Sequence, residues 1–369
     1  MIHAERLLNT FLEYVQIDSE SRHEAAFAAR LAADLTAAGC EVWFDESQAR
    51  TGSDTGNLYA VLPATAAGEP LLLAAHMDTV SPGRGIHPSV ADGVVRSDGS
   101  TILASDDKSG IAAIVEVLRI LTENSLPHPE LQMVFTVCEE LGLDGAHALD
   151  LDRITAKKAL VLDGCELGEI AIAAPGNYKL KAAVVGRTSH AGIAPERGVS
   201  AIQVMAEAIS HMRLLRIDEE TTANIGSIRA DGATNIVPER CEIQAEARSL
   251  DDEKLITQGQ HMMTCLTCAC EKYGASLEGG LIRAYSPYRY RKDDPFVLRV
   301  CEACRTVGIE PLPMESGGGS DANVLHAHGI RSLVIGTGMT NVHTVKESIA
   351  VRDLESVAAL LLELTTVAQ

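Results

Sequence analysis

The run Leu71-Leu72-Leu73-Ala74-Ala75-His76-Met77-Asp78-Thr79-Val80 decides how this chain is read. Leu71 to Ala75 form an apolar strand that stops on His76, with Asp78 following. A buried strand ending this way delivers an imidazole and a carboxylate to the carboxyl edge of a sheet. That edge is where open α/β sheets hold their ligands.

On either side of this run the pattern alternates. Ser21 and Glu24 have the spacing of a capping box for a helix running through Ala38. Strands are expected at Glu41 to Phe44, Leu58 to Leu62, Gln132 to Val137 and Ala159 to Leu162, with a helix at Gly110 to Leu121. Strands separated by helices predict a mainly parallel sheet with helices on both faces. Near Asn177 the pattern changes to strand, helix, strand, strand, helix, strand, the order of a ferredoxin-like α+β domain. Alternation returns after Pro287. The expected organisation is one discontinuous domain, residues 1–177 and 287–369, interrupted by an inserted domain, residues 178–286.

Composition narrows the field. The chain has 369 residues, 46% of them hydrophobic, which suffices for two cored domains. Its net charge of -20 repels nucleic acid and anionic membranes, so neither is an expected partner. No apolar run is long enough to span a bilayer, and the start of the chain reads as an amphipathic helix, not a signal peptide. Nine cysteines without an export signal suggest reduced thiols and a cytoplasmic setting. The pairs Cys265/Cys268 and Cys301/Cys304 fall in helical patterns and read as packing residues, not zinc knuckles.

The ionisable residues fall at corresponding places. His76 ends one strand, Asp106 opens the turn before a helix, and Glu139 and Glu140 follow another strand. Asp163 ends a further strand, and His343 follows Ser332 to Ile335. Taken singly, each has a plainer reading: a structural His, a helix N-cap, a solvated turn. Together, at the converging ends of parallel strands, they would crowd carboxylates that repel one another unless cations intervene. Nitrogen with carboxylate oxygen is a donor set suited to zinc.

His76-Met77-Asp78, Ser105-Asp106-Asp107-Lys108, Glu139-Glu140, Asp163-Gly164 and His343 occur in the order found in a known family. They resemble the dinuclear zinc peptidases that include peptidase T, carboxypeptidase G and aminoacylase, over nearly the whole chain. The resemblance implies two divalent ions, zinc first, with cobalt or manganese as alternatives. One ion would take His76 and Asp163, the other Glu140 and His343. Asp106 would bridge both, through a cis peptide to Asp107. Asp78 would accept a hydrogen bond from His76 and orient it, and Glu139 would serve as general base. Gly186 to Gly192 resembles the family's lid motif, which assigns His190 to the oxyanion or to gripping substrate. Asn235 and Arg248 match lid positions that contact substrate, Arg248 as a two-bond clasp for a carboxylate. A homodimer through the lid domain is a further option the resemblance carries.

Substrate class follows from two details. Asp163 stands where aminopeptidase-like and dipeptidase-like members tend to carry Asp and deacylases carry Glu. Ser316 to Asn323 resembles the peptidase T-like subgroup, though Gly317 replaces an Arg of peptidase T itself. Glycine at Gly318 would let backbone approach a ligand closely. The expected activity is removal of amino-terminal residues from short peptides. An N-acyl-amino-acid amidohydrolase or carboxypeptidase is the alternative, and a non-catalytic metal or peptide binder is the third reading.

Overall fold

The structure is a computed structural model that describes residues 2–367. In chain order its first elements are α1 (Ala4–Val15), α2 (Ala25–Ala37), β1 (Glu41–Phe44), β2 (Leu58–Leu62) and β3 (Leu71–His76). Next come α3 (Ser105–Glu123), β4 (Leu131–Thr136), β5 (Lys158–Gly164) and β6 (Glu169–Ala174). The middle of the chain holds β7 (Gly176–Val185), α4 (Ala201–His211), β8 (Thr221–Arg229), β9 (Arg240–Ser249), α5 (Asp252–Tyr273) and β10 (Ser276–Tyr285). The chain ends with α6 (Pro295–Thr306), α7 (Asp321–Ala327), β11 (Arg331–Gly336) and α8 (Val351–Thr365).

These elements form two compact units. Among the described residues, one comprises 2–172, 290–316 and 320–367; the other comprises Ala173–Arg289 with Gly317–Gly319. The second unit extends past 178–286 at both ends because Tyr288 and Arg289 pair with Ala174 and Ala173.

In the first unit the sheet runs β1-β2-β4-β3-β5-β11-β6. Its four inner strands, β4, β3, β5 and β11, are parallel to one another, while β2 and β6 run opposite to them on either side and β1 pairs antiparallel with β2 at the edge. The fold is thus mixed α/β with a mainly parallel centre. β3 needs no polar face because both its faces are covered, and Leu72 and Leu73 are wholly buried. Register does the positioning. His76 pairs with Thr136, and the β3–β5 pairing of Ala74 with Val161 leads to Asp163 two residues beyond. The strands therefore release His76, the Glu139–Glu140 turn and Asp163 at one level.

Residues 105–118 of α3 are buried on every side, so this helix lies inside the unit, not on its surface. Gly110 permits that approach: a Cβ there would overlap Leu162 and the Asp107 carboxylate. The Asp106–Asp107 peptide is cis, and both residues leave helical geometry. A small antiparallel sheet was not expected from sequence. It joins Ser89–Ala91, Val94–Arg96, Ser348–Ala350 and Met339–Thr340, and its last hairpin presents His343.

The second unit pairs β8-β9-β7-β10 antiparallel, with a two-residue strand at Leu215–Arg216 on the β8 edge. α4 and α5 bury Val204, Met205, Leu255, Met262 and Leu266 in one core with Leu180 and Ile243 of the sheet. This is the ferredoxin-like arrangement. Ser200 and Asp251 cap the two helices through their side chains, accepting from Gln203 N and Lys254 N. Among the described residues, no helix is long and apolar enough to cross a membrane.

The capping box expected at Ser21 and Glu24 does not form. Glu24 precedes α2 with no side-chain cap, and its carboxylate turns inward to Ser53 and Cys138. A local motif loses here to longer-range donors that no sequence spacing reveals.

Candidate metal centre

The expected residues of the first unit do meet. His76, at the end of β3, is 2% exposed, and its Nε2 lies 3.0 Å from Asp106 Oδ1 and 3.9 Å from Asp163 Oδ1. The other oxygen of Asp106 lies 3.1 Å from His343 Nε2, which is 2.8 Å from Glu140 Oε1. Asp106 thus offers one oxygen to each half of the cluster. Ligand atoms of His76, Asp106 and Glu140 all lie within 4.8 Å of one another.

Electrostatics make this crowd costly by itself. Burial, with the charge of Asp106 next, drives the Asp163 carboxyl well above the usual carboxylate range. Burial and the charge of Asp163 do the same to Glu139. Asp106 moves the other way: burial opposes its ionisation, but the imidazoles of His343 and His76 outweigh it. Contacts with Asp106 and Glu140 raise His343 to about 10. Both oxygens of Asp107 are buried without a hydrogen-bond partner, and the buried Glu140 Oε1 meets only the His343 imidazole. Orphaned carboxylate oxygens among converging imidazoles suit divalent cations, which remove repulsion that hydrogen bonds do not. The residues present therefore fit two such ions. His343, half exposed, leaves the cluster open to solvent on one side.

Asp78 corrects the expectation placed on it. His76 Nδ1 makes its 2.9 Å bond to the Asp78 main-chain carbonyl, and the carboxylate stands 3.6 Å away. That carboxylate instead accepts from Glu139 N at 2.8 Å, Glu140 N at 3.2 Å and Ser21 Oγ at 2.6 Å. The carbonyl fixes the imidazole so that Nε2 faces the cluster. The carboxylate, already holding two main-chain N–H groups, fixes the turn that carries Glu139 and Glu140.

Two further residues belong to the site. Glu347, 1% exposed, accepts from Leu103 N, Ala104 N, Ser105 Oγ and Asp106 N, at 2.6 to 3.1 Å. It follows His343 in the same hairpin, so one carboxylate joins the loops that bear Asp106 and His343. Asp321, at the start of α7, is 2% exposed and accepts from Thr136 Oγ1, and burial raises it to about 6. Its Oδ1 has no hydrogen-bond partner. The Ser316 to Asn323 run reads in sequence as a glycine loop. Only the Ser320 capping box, with Asn323 reciprocating, marks the helix start that buries Asp321.

The remaining candidates lie in the second unit. His190 is exposed, and its Nδ1 accepts from Gly192 N and Ile193 N, both at 3.2 Å. Those two bonds leave Nε2 as the donor, the tautomer an oxyanion contact requires. Asn235 holds this loop through its carbonyl, which accepts from Ala191 N at 2.9 Å. Gly318 is exposed. Arg248 departs from expectation, because its Nε and Nη2 already bond the two oxygens of Glu246 at 2.9 and 3.1 Å. Glu246, two residues back on the same face of β9, takes the two-bond clasp assigned to a substrate carboxylate.

Comparison with known proteins agrees with this fold. The family model for Peptidase family M20/M25/M40 matches residues 72–366, and the chain belongs to that family. The aminopeptidase PepT of Bacillus cereus is 43% identical, with a TM-score of 0.92 and coverage of 99% of this chain and 98% of that one. A tripeptidase of Staphylococcus aureus is 38% identical, with a TM-score of 0.94 and the same 99% and 98% coverage. The YqjE protein of Bacillus subtilis is 41% identical over 362 residues, 98% of each chain. Within its family this chain is a peptidase T-like metallopeptidase.

Proposed function

We propose that this enzyme removes amino-terminal residues from short peptides, using two divalent cations held by His76, Asp106, Glu140, Asp163 and His343. The observation that carries the reading is the division of the Asp106 carboxylate, 3.0 Å from one imidazole and 3.1 Å from the other. His76 and Asp163 would hold one ion and Glu140 and His343 the other, with Asp106 placed between the two pairs. Zinc suits these donors best, with cobalt or manganese able to replace it. Such a pair supplies an acidified water and polarises the scissile carbonyl.

The chain's own groups do the rest. Glu139, at the rim of the cluster and 9% exposed, accepts the water proton and returns it to the departing amine. His190, with Nε2 as donor, stabilises the oxyanion. Similarity to an aminopeptidase and a tripeptidase supports attack at the amino end of a short chain. The free state of all nine cysteines supports a reducing cytoplasm.

The test is digestion of Ala-Ala-Ala and its N-acetylated form by zinc-equilibrated protein. The free tripeptide should lose its first residue, a chelator should stop the reaction and zinc should restore it. Preference for the acetylated form would establish the amidohydrolase alternative instead, and no turnover of either would defeat the hydrolytic reading.

A further inference from the structure

We infer that Ser21 and Glu24, at the entry to α2, are positioning residues for the Glu139 base. The inference rests on the hydrolytic role proposed for Glu139. Three consecutive main-chain N–H groups donate to two buried carboxylates. Cys138 N donates to Glu24 Oε1 at 3.1 Å, Glu139 N to Asp78 Oδ1 at 2.8 Å and Glu140 N to Asp78 Oδ2 at 3.2 Å. Ser53 Oγ donates to the second oxygen of Glu24 at 2.6 Å, and Ser21 Oγ donates to Asp78 Oδ2 at 2.6 Å. Glu24 and Asp78 are both fully buried.

The backbone explains why such anchors are needed. Cys138 has φ 52°, a left-handed conformation that disfavours any residue with a Cβ. It persists only where the surroundings hold it. Here the two carboxylates gather three successive N–H groups, and the turn follows. The turn in turn decides where two adjacent side chains point. Glu140 must reach His343, to which it lies 2.8 Å away, and Glu139 must take a different direction. Glu24 is placed to act on Glu139 through the Cys138 amide. A buried carboxylate is a demanding choice for packing alone, since it must find donors for every oxygen. Its donors here are Ser53, the Arg22 main chain beside it and the turn next to the catalytic base.

The experiment measures kcat, KM and bound zinc for Glu24→Ala, Glu24→Gln and Ser21→Ala, with Ala-Ala-Ala as substrate and Glu139→Gln alongside. Misplacement of a base by a fraction of an ångström predicts a kcat loss of about 10- to 100-fold for Glu24→Ala, with KM and zinc content as in the unaltered enzyme. In Glu24→Gln the amide oxygen still accepts from Cys138 N, so kcat should recover to within about fivefold of the unaltered enzyme. Should Glu24→Ala fail to fold, Ser21→Ala provides the same reading, with a kcat loss of about 3- to 10-fold and zinc retained. The inference is overturned if the alanine variants turn over normally, if Glu24→Gln is as impaired as Glu24→Ala, or if lost activity follows lost zinc. Normal turnover by Glu24→Ala beside an inactive Glu139→Gln overturns the inference alone. An active Glu139→Gln overturns the role of Glu139 itself.

Discussion

Asp106 faces both imidazoles, and every other group in the cluster is placed with respect to it. Glu139 differs from its neighbour Glu140 in what it touches, and substitution should separate them. Glu139→Gln keeps size and the buried main-chain bonds but removes the proton acceptor. We expect it to retain both metal ions and lose at least about three orders of magnitude in kcat, read by steady-state kinetics with elemental analysis. Lys108 offers a test of burial at the same scale. Its ammonium is fully buried beside Phe27, bonds Ile17 O, and burial lowers it from 10.5 to about 7. Between those values the unfolded chain binds the proton that the folded chain has released, so this group's contribution to stability rises with pH across the window. Urea unfolding should show the difference between the unaltered protein and Lys108→Met growing in favour of the lysine from about pH 7 to about pH 10. A flat difference would contradict that.

At the scale of elements, two contacts hold the site's loops. α3 packs against β5 only because Gly110 has no side chain. Gly110→Ala should destabilise the fold by about 1–3 kcal/mol in urea, as overpacking in a close-packed core does. Glu347 is the other contact. Gln in its place must turn an amide N–H₂ toward at least one main-chain N–H in either orientation, since Oε2 accepts from Leu103 N and Ala104 N and Oε1 from Asp106 N. Zinc affinity of Glu347→Gln, measured by chelator competition, should fall about 10- to 100-fold with secondary structure unchanged. Much at this scale was legible in sequence. β3 announced itself by ending an apolar run on His76, and β7 to β10 by alternation and order. The hairpin bearing His343 was not legible, because strands of two or three residues leave too little pattern. Nor was Glu347, an isolated carboxylate whose partners lie some 240 positions away in the chain. Ser21 and Glu24 misled, since their spacing fits a helix start while their side chains answer to Asp78, Ser53 and Cys138.

For the molecule as a whole, the chain joins an α/β unit that gathers the five donors to a ferredoxin-like unit that carries His190. The donors were recoverable from sequence because parallel strands release their last residues along one edge. The contacts of the second unit were harder, because polar residues on an antiparallel sheet look alike until their partners are seen. Arg248 is the example, a clasp on paper that the fold spends on Glu246. The claim on which the account depends is that Asp106 is shared by two ions. Elemental analysis of zinc-equilibrated protein, freed of unbound metal, tests it most directly when Asp106→Asn is measured beside the unaltered chain. The account predicts about two zinc ions per chain, falling to one or fewer in the variant. Trace metal in the unaltered protein, or two ions retained by Asp106→Asn, would contradict it.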